Sequence, residues 1–237
     1  MSLINKVASI IDNKAELENL AYMPNKISYD DDLAILDIDI KSILPAPAKN
    51  NSPVTVTELE AVSEATKNRT PQELDLIYTV DREPLILFRR FLSTKGLEFP
   101  DSKFEMYINI MEQYQYALKY YHNRARPRQL APYYNLEIDV LFTDTHQTPS
   151  YPSGHVMYSE TAARMASEEF PEYKSTFFQL SKYCGLARIL QGVHFASDNK
   201  ASVIAIEKLY PLVSKYYEQQ RTKEDPFDIS KSTQSKK

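Results

Sequence analysis

Hydrophobic residues recur along most of this chain at the spacing of an amphipathic helix. The clearest stretch runs from Ser102 to about Asn123. Within it, aromatic and aliphatic residues recur at intervals of four and three, at Tyr107, Met111, Tyr114, Leu118 and Tyr121. These intervals place the side chains on one helical face. We interpret that face as buried core.

Helix start signals divide the remainder of the chain. Thr57 followed by Glu60, and Thr70-Pro71 followed by Glu73, are typical of capped helix N-termini. Later segments with helical patterning are Pro84–Thr94, Ser153–Phe170, Tyr173–Gln191 and Ala196–Gln220, the last containing Pro211. Strand signals are nearly absent from these segments. The sequence therefore predicts an all-α fold, a helical bundle of six or more helices.

The two ends of the chain have a different pattern. An amphipathic helix is plausible near Leu3–Tyr22, the alternation in LAILDIDI is compatible with a short strand, and LPAPAKNNSP resembles an extended linker. The acidic run at 30–32 is interpreted as solvated and not as a metal site. We therefore predict an irregular N-terminal extension and linker over 1–53, a helical domain over 54–222, and a polar, disordered tail over 223–237.

Composition narrows the class of protein. The 237 residues carry a formal charge of −4, which disfavours a broad nucleic-acid-binding surface. The one cysteine, Cys184, cannot form an internal disulfide and is expected to be buried. The N-terminus lacks the apolar region of a signal peptide, and no uncharged apolar run reaches about 18 residues. We expect a cytoplasmic or otherwise soluble protein without integral membrane association, and a homo-oligomer is possible.

The first motif with chemical potential is Lys119, six residues, then Arg126-Pro127. A spacing of seven places two basic residues two turns apart on one helical face, where both can reach one anion. Pro127 disfavours helical geometry at Arg126. Alone, such a pair more often only complements the dipole at a helix C-terminus.

The second motif is Pro152-Ser153-Gly154-His155 at a predicted helix start. Unpaired backbone N–H groups at a helix N-terminus favour phosphate binding. Ser153 adds a hydroxyl, Gly154 permits close approach of a ligand, and His155 projects from the first turn. A serine cap followed by an exposed histidine is the alternative explanation.

The third motif contains Arg188, Gly192, His194 and Asp198. A step of four residues lets Asp198 bind one imidazole nitrogen of His194, which fixes the tautomer and leaves the other nitrogen as a nucleophile. Arg188 offers a fork of donors suited to phosphate oxygens. A buried histidine satisfied by an aspartate is the structural alternative.

Together and in this order, the motifs resemble those of the type 2 phosphatidic-acid phosphatase superfamily, which includes bacterial class A acid phosphatases and vanadium haloperoxidases. The family pattern is K-x6-RP, PSGH and SR-x5-H-x3-D, and the resemblance covers about residues 102–210. Ala187 replaces the serine that precedes the arginine, which removes one hydroxyl near the phosphate site. LPAPAKNNSP is faintly similar to the start of mature class A enzymes, so the soluble acid phosphatases are the nearest branch.

The resemblance implies a metal-independent acid phosphatase that acts on small soluble phosphate monoesters. His194 would attack phosphorus, Asp198 would orient it, and His155 would protonate the leaving oxygen. Phosphate binding would fall to Lys119, Arg126, Ser153, Gly154 and Arg188. No cofactor or metal is implied, although vanadate could inhibit. A vanadium-dependent haloperoxidase and a lipid phosphate phosphatase are the alternatives for the same pocket.

Three further residues near the motifs are weaker candidates. His122 lies within the first motif and could line the pocket. Asp144 and His146 precede the second motif in a predicted loop, where they could contribute to substrate specificity.

Overall fold

The computed structural model describes residues 13–23, 35–142 and 144–224, with side chains as far as residue 221. Throughout these residues the regular secondary structure is helical, so the predicted all-α fold is confirmed. The helices are α1 (13–19), α2 (Ile40–Ile43), α3 (Pro53–Lys67), α4 (Pro71–Arg82), α5 (Ile86–Ser93), α6 (Asp101–His122), α7 (Pro127–Leu130), α8 (Gly154–Glu169), α9 (Lys174–Leu190) and α10 (Ala196–Glu224). Short 3-10 turns occupy Ala131–Tyr134, Asp144–His146 and Pro171–Tyr173.

One of the two predicted helix starts, the one at Thr70, is confirmed, and it carries a capping box. Thr70 accepts a hydrogen bond from the backbone N–H of Glu73, whose side chain accepts from the backbone N–H of Thr70. The start predicted at Thr57 is wrong, since α3 begins at Pro53 with Ser52 as its cap. Pro53 suits the first helical position because it needs no hydrogen bond there.

The core is formed where α8 packs against α9, α10 and α6. The predicted apolar face of α6 is buried at Tyr107, Met111, Tyr114 and Leu118. Tyr121 is 37% exposed, so the stripe ends one turn before the helix does. Phe88 of α5 and Phe177 of α9 stack at a ring-centroid distance of 6.1 Å and extend the core beyond α8.

Residues 35–44 pack against this core. The strand suggested by LAILDIDI begins outside the described residues; its described part is irregular over 35–39 and then forms α2. Ile43 and Leu44 are buried, and the Leu36 backbone N–H donates to the Tyr114 hydroxyl at 3.0 Å. The alternation of apolar residues therefore reflects burial against α6 and α10 and not strand pairing.

The helix predicted near Leu3–Tyr22 lies partly outside the described residues, which show helix only over 13–19. The acidic run at 30–32 lies outside them, as does the predicted tail beyond residue 224. Pro211 is accommodated inside the continuous helix α10. None of the helices in the described ranges combines the length and apolar character required to cross a membrane.

Candidate active site

The three sequence motifs meet where the C-terminal end of α6, the N-terminal end of α8 and the turn between α9 and α10 come together. A cavity of about 280 Å³ opens at this point. It is lined by Lys119 of the first motif, Gly154 and His155 of the second, and His194 of the third.

Lys119 and Arg126 reach the site by a different route from the one the spacing suggested. Helix α6 ends at His122, and Asn123 adopts a left-handed conformation with φ of 47°. Arg126 is extended, with φ of −77° and ψ of 156°, and directly precedes α7. The prediction that the two residues share one helical face is therefore wrong. A tight turn at Asn123 brings Arg126 back towards the site.

Both cations are buried and partly satisfied by backbone carbonyl groups. Lys119 Nζ donates to the Pro149 carbonyl at 2.7 Å, and Arg126 donates to the carbonyl groups of Thr148 and Val193 at 2.9 and 2.8 Å. Burial, together with the nearby cations, holds the pKa of Lys119 well below its usual value and lowers the pKa of Arg126 to about 9. A bound anion would offset both shifts, since an opposite charge favours the protonated forms.

His194 lies between an acidic side chain, Asp198, and a basic one, Arg126. Its Nδ1 is 3.1 Å from Asp198 Oδ2, and its Nε2 is 3.1 Å from Arg126 Nη1. Since guanidinium can only donate, Nε2 carries the lone pair and the Nδ1 hydrogen points to Asp198. Burial, reinforced by the nearby arginine, holds the pKa of His194 well below its usual value. The ring is therefore neutral, with its lone pair on Nε2.

Gly192 makes this arrangement possible. Its φ is +83°, a conformation that favours glycine, and an added Cβ would lie 2.8 Å from the Ile138 side chain. The chain turns here between the end of α9 and His194.

Asp198 is fixed by partners that the motifs did not reveal. Its Oδ2 accepts from Ser150 Oγ at 2.5 Å and from the Phe195 backbone N–H at 2.9 Å, while its Oδ1 accepts from Arg124 Nη1 at 2.5 Å. Desolvation opposes ionisation, but Arg124 and the hydrogen bonds prevail and hold the pKa of Asp198 well below its usual value. The lowered pKa favours the ionised carboxylate beside His194.

Arg124 also extends the network towards α3. Its guanidinium lies 4.1 Å from the centre of the Phe195 ring and forms an ion pair with Glu58 at 3.3 Å. Glu58 in turn accepts from the Ser197 backbone N–H and hydroxyl, both at 2.6 Å. This carboxylate caps the first turn of α10, which carries Asp198.

Ser153 and Gly154 form the start of α8. Ser153 is the N-cap residue, but its hydroxyl makes no capping hydrogen bond. This Oγ is buried and lacks a partner among the described residues. An added Cβ at Gly154 would lie 2.8 Å from Nε2 of Gln115. The serine is therefore not an ordinary cap, and the glycine is required by close packing.

Arg188 is held by an aspartate that the sequence analysis missed. Its Nη1 donates to Asp81 Oδ1 at the end of α4, and its Nη2 donates to Thr145 Oγ1 at 2.9 Å. The pKa of Asp81 is lowered: burial opposes ionisation, but Arg188 outweighs it. Arg188 Nε is buried without a partner among the described residues.

His155 projects from the first turn of α8 into the cavity, with Nε2 3.4 Å from the Asp81 carbonyl oxygen. Burial and the charge of Arg188 lower the pKa of His155 to about 3. The lowered pKa favours the neutral ring. A phosphate dianion in the cavity would oppose this shift.

The weaker candidates are placed as follows. Asp144 lines the cavity at an exposed position, whereas His122 and His146 are not among its lining residues. His122 packs between the rings of Tyr121 and Tyr151. Ala187 is buried in an apolar cluster with Ile77 and Cys184, so this position contributes packing only. Cys184 is buried, as expected.

Within the described ranges, no group of three or more His, Cys, Asp and Glu side chains is arranged to hold a metal ion.

The chain matches no curated protein. A solved structure of a transmembrane PAP2-type phosphatidylglycerolphosphate phosphatase from Bacillus subtilis is similar over 71% of this chain and 89% of that one, at 17% identity and a TM-score of 0.49. These values are too low to carry that protein's substrate over to this chain. Residues 106–217, the segment that contains all three motifs, match the model of the PAP2 superfamily.

Proposed function

We propose that this protein is a metal-independent acid phosphatase that hydrolyses small, soluble phosphate monoesters through a phosphohistidine on His194. The observation that carries the proposal is the orientation of His194: Asp198 holds Nδ1, and Nε2 faces a guanidinium group. A neutral histidine fixed in this way is a nucleophile with its lone pair already directed.

The surrounding donors support a phosphoryl group as the electrophile. Buried atoms of three phosphate-ligand candidates have no partner among the described residues, namely Arg126 Nη2, Arg188 Nε and Ser153 Oγ. Buried polar atoms without partners are uncommon in folded proteins, and a bound anion would satisfy them. Together with Lys119 these groups supply the positive charge that phosphoryl transfer requires.

The reaction then follows from the two histidines. The Nε2 lone pair of His194 attacks phosphorus, the ester P–O bond breaks, and the leaving oxygen takes a proton from His155. Water then attacks the phosphohistidine while His155 accepts a proton from it, and cleavage of the P–N bond releases phosphate. His155 must be protonated in the first step, so the negative charge of the substrate has to raise its pKa from about 3.

The direct test is hydrolysis of p-nitrophenyl phosphate with excess chelator present. We expect full activity, because Lys119, Arg126 and Arg188 replace a metal as the charge clamp, and we expect inhibition by orthovanadate. Activity that disappears with chelator and returns with a divalent ion would contradict the proposal.

Substrate preference is tested by a second measurement, which compares the kcat/KM of the same protein for soluble and for lipid substrates. We expect higher kcat/KM for water-soluble monoesters than for phosphatidic acid in vesicles. A preference for the lipid would reassign the protein to the lipid phosphatases of this superfamily. Rapid bromination of a dye by the vanadate-loaded protein, without phosphatase activity, would favour a haloperoxidase.

A further inference from the structure

The cavity extends beyond the phosphate-binding residues along one face of α6. Glu112, Gln115, Tyr116 and Lys119 all line it, and their spacing is that of a single helical face. At a rise of 1.5 Å per residue, Glu112 lies about 10.5 Å along the helix axis from Lys119 and about 4.5 Å from Gln115. The cavity therefore runs from a cationic end to an anionic end.

Gln115 lies at the junction of these two ends. It is 6% exposed, and its side-chain amide is in contact range of Gly154, where the phosphate group is proposed to bind. Its Oε1 is buried and accepts no hydrogen bond from the described residues. A buried acceptor of this kind is unfavourable unless a ligand or water donates to it. An N–H or O–H donor on the leaving group would meet that need.

Glu112 sets the charge at the outer end. Its Oε1 accepts from the Tyr158 hydroxyl at 2.9 Å, and Tyr158 lines the same cavity from α8, one turn beyond His155. No basic side chain in the described ranges forms an ion pair with Glu112. Arg82 and Asp144 at the rim are both exposed and of opposite charge, so their effects offset each other. The wall contributed by Glu112 is thus negative.

We infer that Glu112, Gln115, Tyr116 and Tyr158 form a leaving-group subsite for phosphate monoesters of short amino alcohols. The inference rests on the proposed phosphatase function and names its substrate class. The ammonium group would pair with Glu112, donate to Gln115 Oε1, and lie beside two aromatic rings that attract cations.

The dimensions agree with this assignment. Phosphorus and nitrogen in ethanolamine phosphate are separated by four bonds, about 5 Å when extended. The axial distance of about 4.5 Å between Gln115, beside the phosphate-binding glycine, and Glu112 is similar. A leaving group that ends in a methyl group fills the same length, but it offers no charge partner to the Glu112 carboxylate and no donor to the Gln115 amide oxygen.

The test compares kcat/KM for ethanolamine phosphate with kcat/KM for propyl phosphate, in which a methyl group replaces the ammonium. The pH is chosen so that the amine is protonated. We expect the wild-type protein to prefer ethanolamine phosphate by about tenfold, the size of one charge-assisted hydrogen bond. Glu112→Gln keeps the side-chain shape and should bring the ratio close to one.

Two further variants complete the experiment. Glu105→Gln makes the same charge change at an exposed position of α6 outside the cavity, so the ratio should match the wild type. Tyr158→Phe removes the hydroxyl that holds Glu112 but keeps the ring, so its ratio should fall between those of the wild type and Glu112→Gln. If Glu112→Gln does not fold, the wild-type and Tyr158→Phe ratios decide the question.

The outcomes separate the subsite from the proposed function. A wild-type ratio near one, or a preference that survives in Glu112→Gln, overturns the subsite, while hydrolysis of p-nitrophenyl phosphate would still support the phosphatase. A protein that hydrolyses neither p-nitrophenyl phosphate nor the two alkyl esters overturns the proposed function, and the subsite with it.

Discussion

Replacement of Arg124 by methionine tests the buried network behind the nucleophile. Arg124 and Asp198 form an ion pair at 2.5 Å with side-chain exposures of 2% and 0%. Removing one partner of a buried pair leaves the other charge uncompensated, which costs about 3–5 kcal/mol. Loss of the contact with the Phe195 ring adds to this, since a close cation–π contact contributes roughly 0.5–2 kcal/mol.

A matched substitution separates this effect from the general loss of an arginine. Arg89 also pairs with two carboxylates, Glu83 and Asp101, but its side chain is 39% exposed and those of its partners are 41% and 50% exposed. Exposed pairs contribute about 0–1 kcal/mol because water screens them. Arg89→Met should therefore be several-fold less destabilising than Arg124→Met.

The assay is urea unfolding followed by circular dichroism, with Asp198→Asn added to complete a double-mutant cycle. Asparagine carries no charge to strand, so Arg124→Met should cost less in that background, with a coupling of about 2 kcal/mol or more. Activity should fall roughly tenfold or more in Arg124→Met because Asp198 loses the group that holds it towards His194. Equal costs for Arg124→Met and Arg89→Met, or no coupling with Asp198, would refute the reasoning.

Two other predictions concern the cavity and its histidines. Gly154→Ala places a Cβ 2.8 Å from Gln115 Nε2 and should lower kcat/KM at least tenfold. The control Gly185→Ala places a Cβ 3.0 Å from the Asn199 side chain, outside the cavity, and should mainly affect stability. Equal losses of activity in the two variants would contradict this prediction. Burial lowers the pKa of His146 from 6.5 to about 4. Above pH 6.5 this histidine is neutral in both the folded and the unfolded chain, so its titration does not affect stability. Between pH 6.5 and about 4 the unfolded chain binds a proton that the folded protein does not. Stability should therefore fall as the pH drops from 6.5 to about 4, and His146→Gln should reduce the slope by up to about 1.4 kcal/mol per pH unit; an unchanged slope in urea titrations would rule out this linkage.

Local features of the fold could be predicted from the sequence because they depend on neighbouring residues. The buried face of α6 follows from helical periodicity, and the start of α4 follows from Thr70, Pro71 and Glu73. The predicted start of α3 differs from the observed one because Ser52, five residues before Thr57, is the cap and Pro53 takes the first helical position. Packing of residues 35–44 against α6 is a tertiary effect that apolar alternation alone does not encode.

The candidate active site also combines features set by neighbouring residues with features set by distant ones. The motif residues could be named from their spacing, but the groups that hold them come from distant parts of the chain. Arg124 bonds to Asp198 across 74 residues, Ser197 to Glu58 across 139, and Arg188 to Asp81 across 107. No periodic or capping signal specifies such pairs. The turn that redirects Arg126 depends on the left-handed conformation of Asn123. The spacing of seven between Lys119 and Arg126 suggested instead that the helix continues through this position.

The measurement that most directly tests the nucleophile is chemical trapping of the enzyme during turnover. Quenching with radiolabelled substrate should yield a covalent phosphoramidate that is labile in acid and stable in base, located by mass spectrometry on the peptide that contains His194. His194→Gln should abolish the adduct and lower kcat by several orders of magnitude, whereas His122→Gln, a histidine outside the cavity lining, should keep it. An adduct that persists in His194→Gln, or one with the acid stability and base lability of an acyl phosphate, would show that another residue attacks phosphorus.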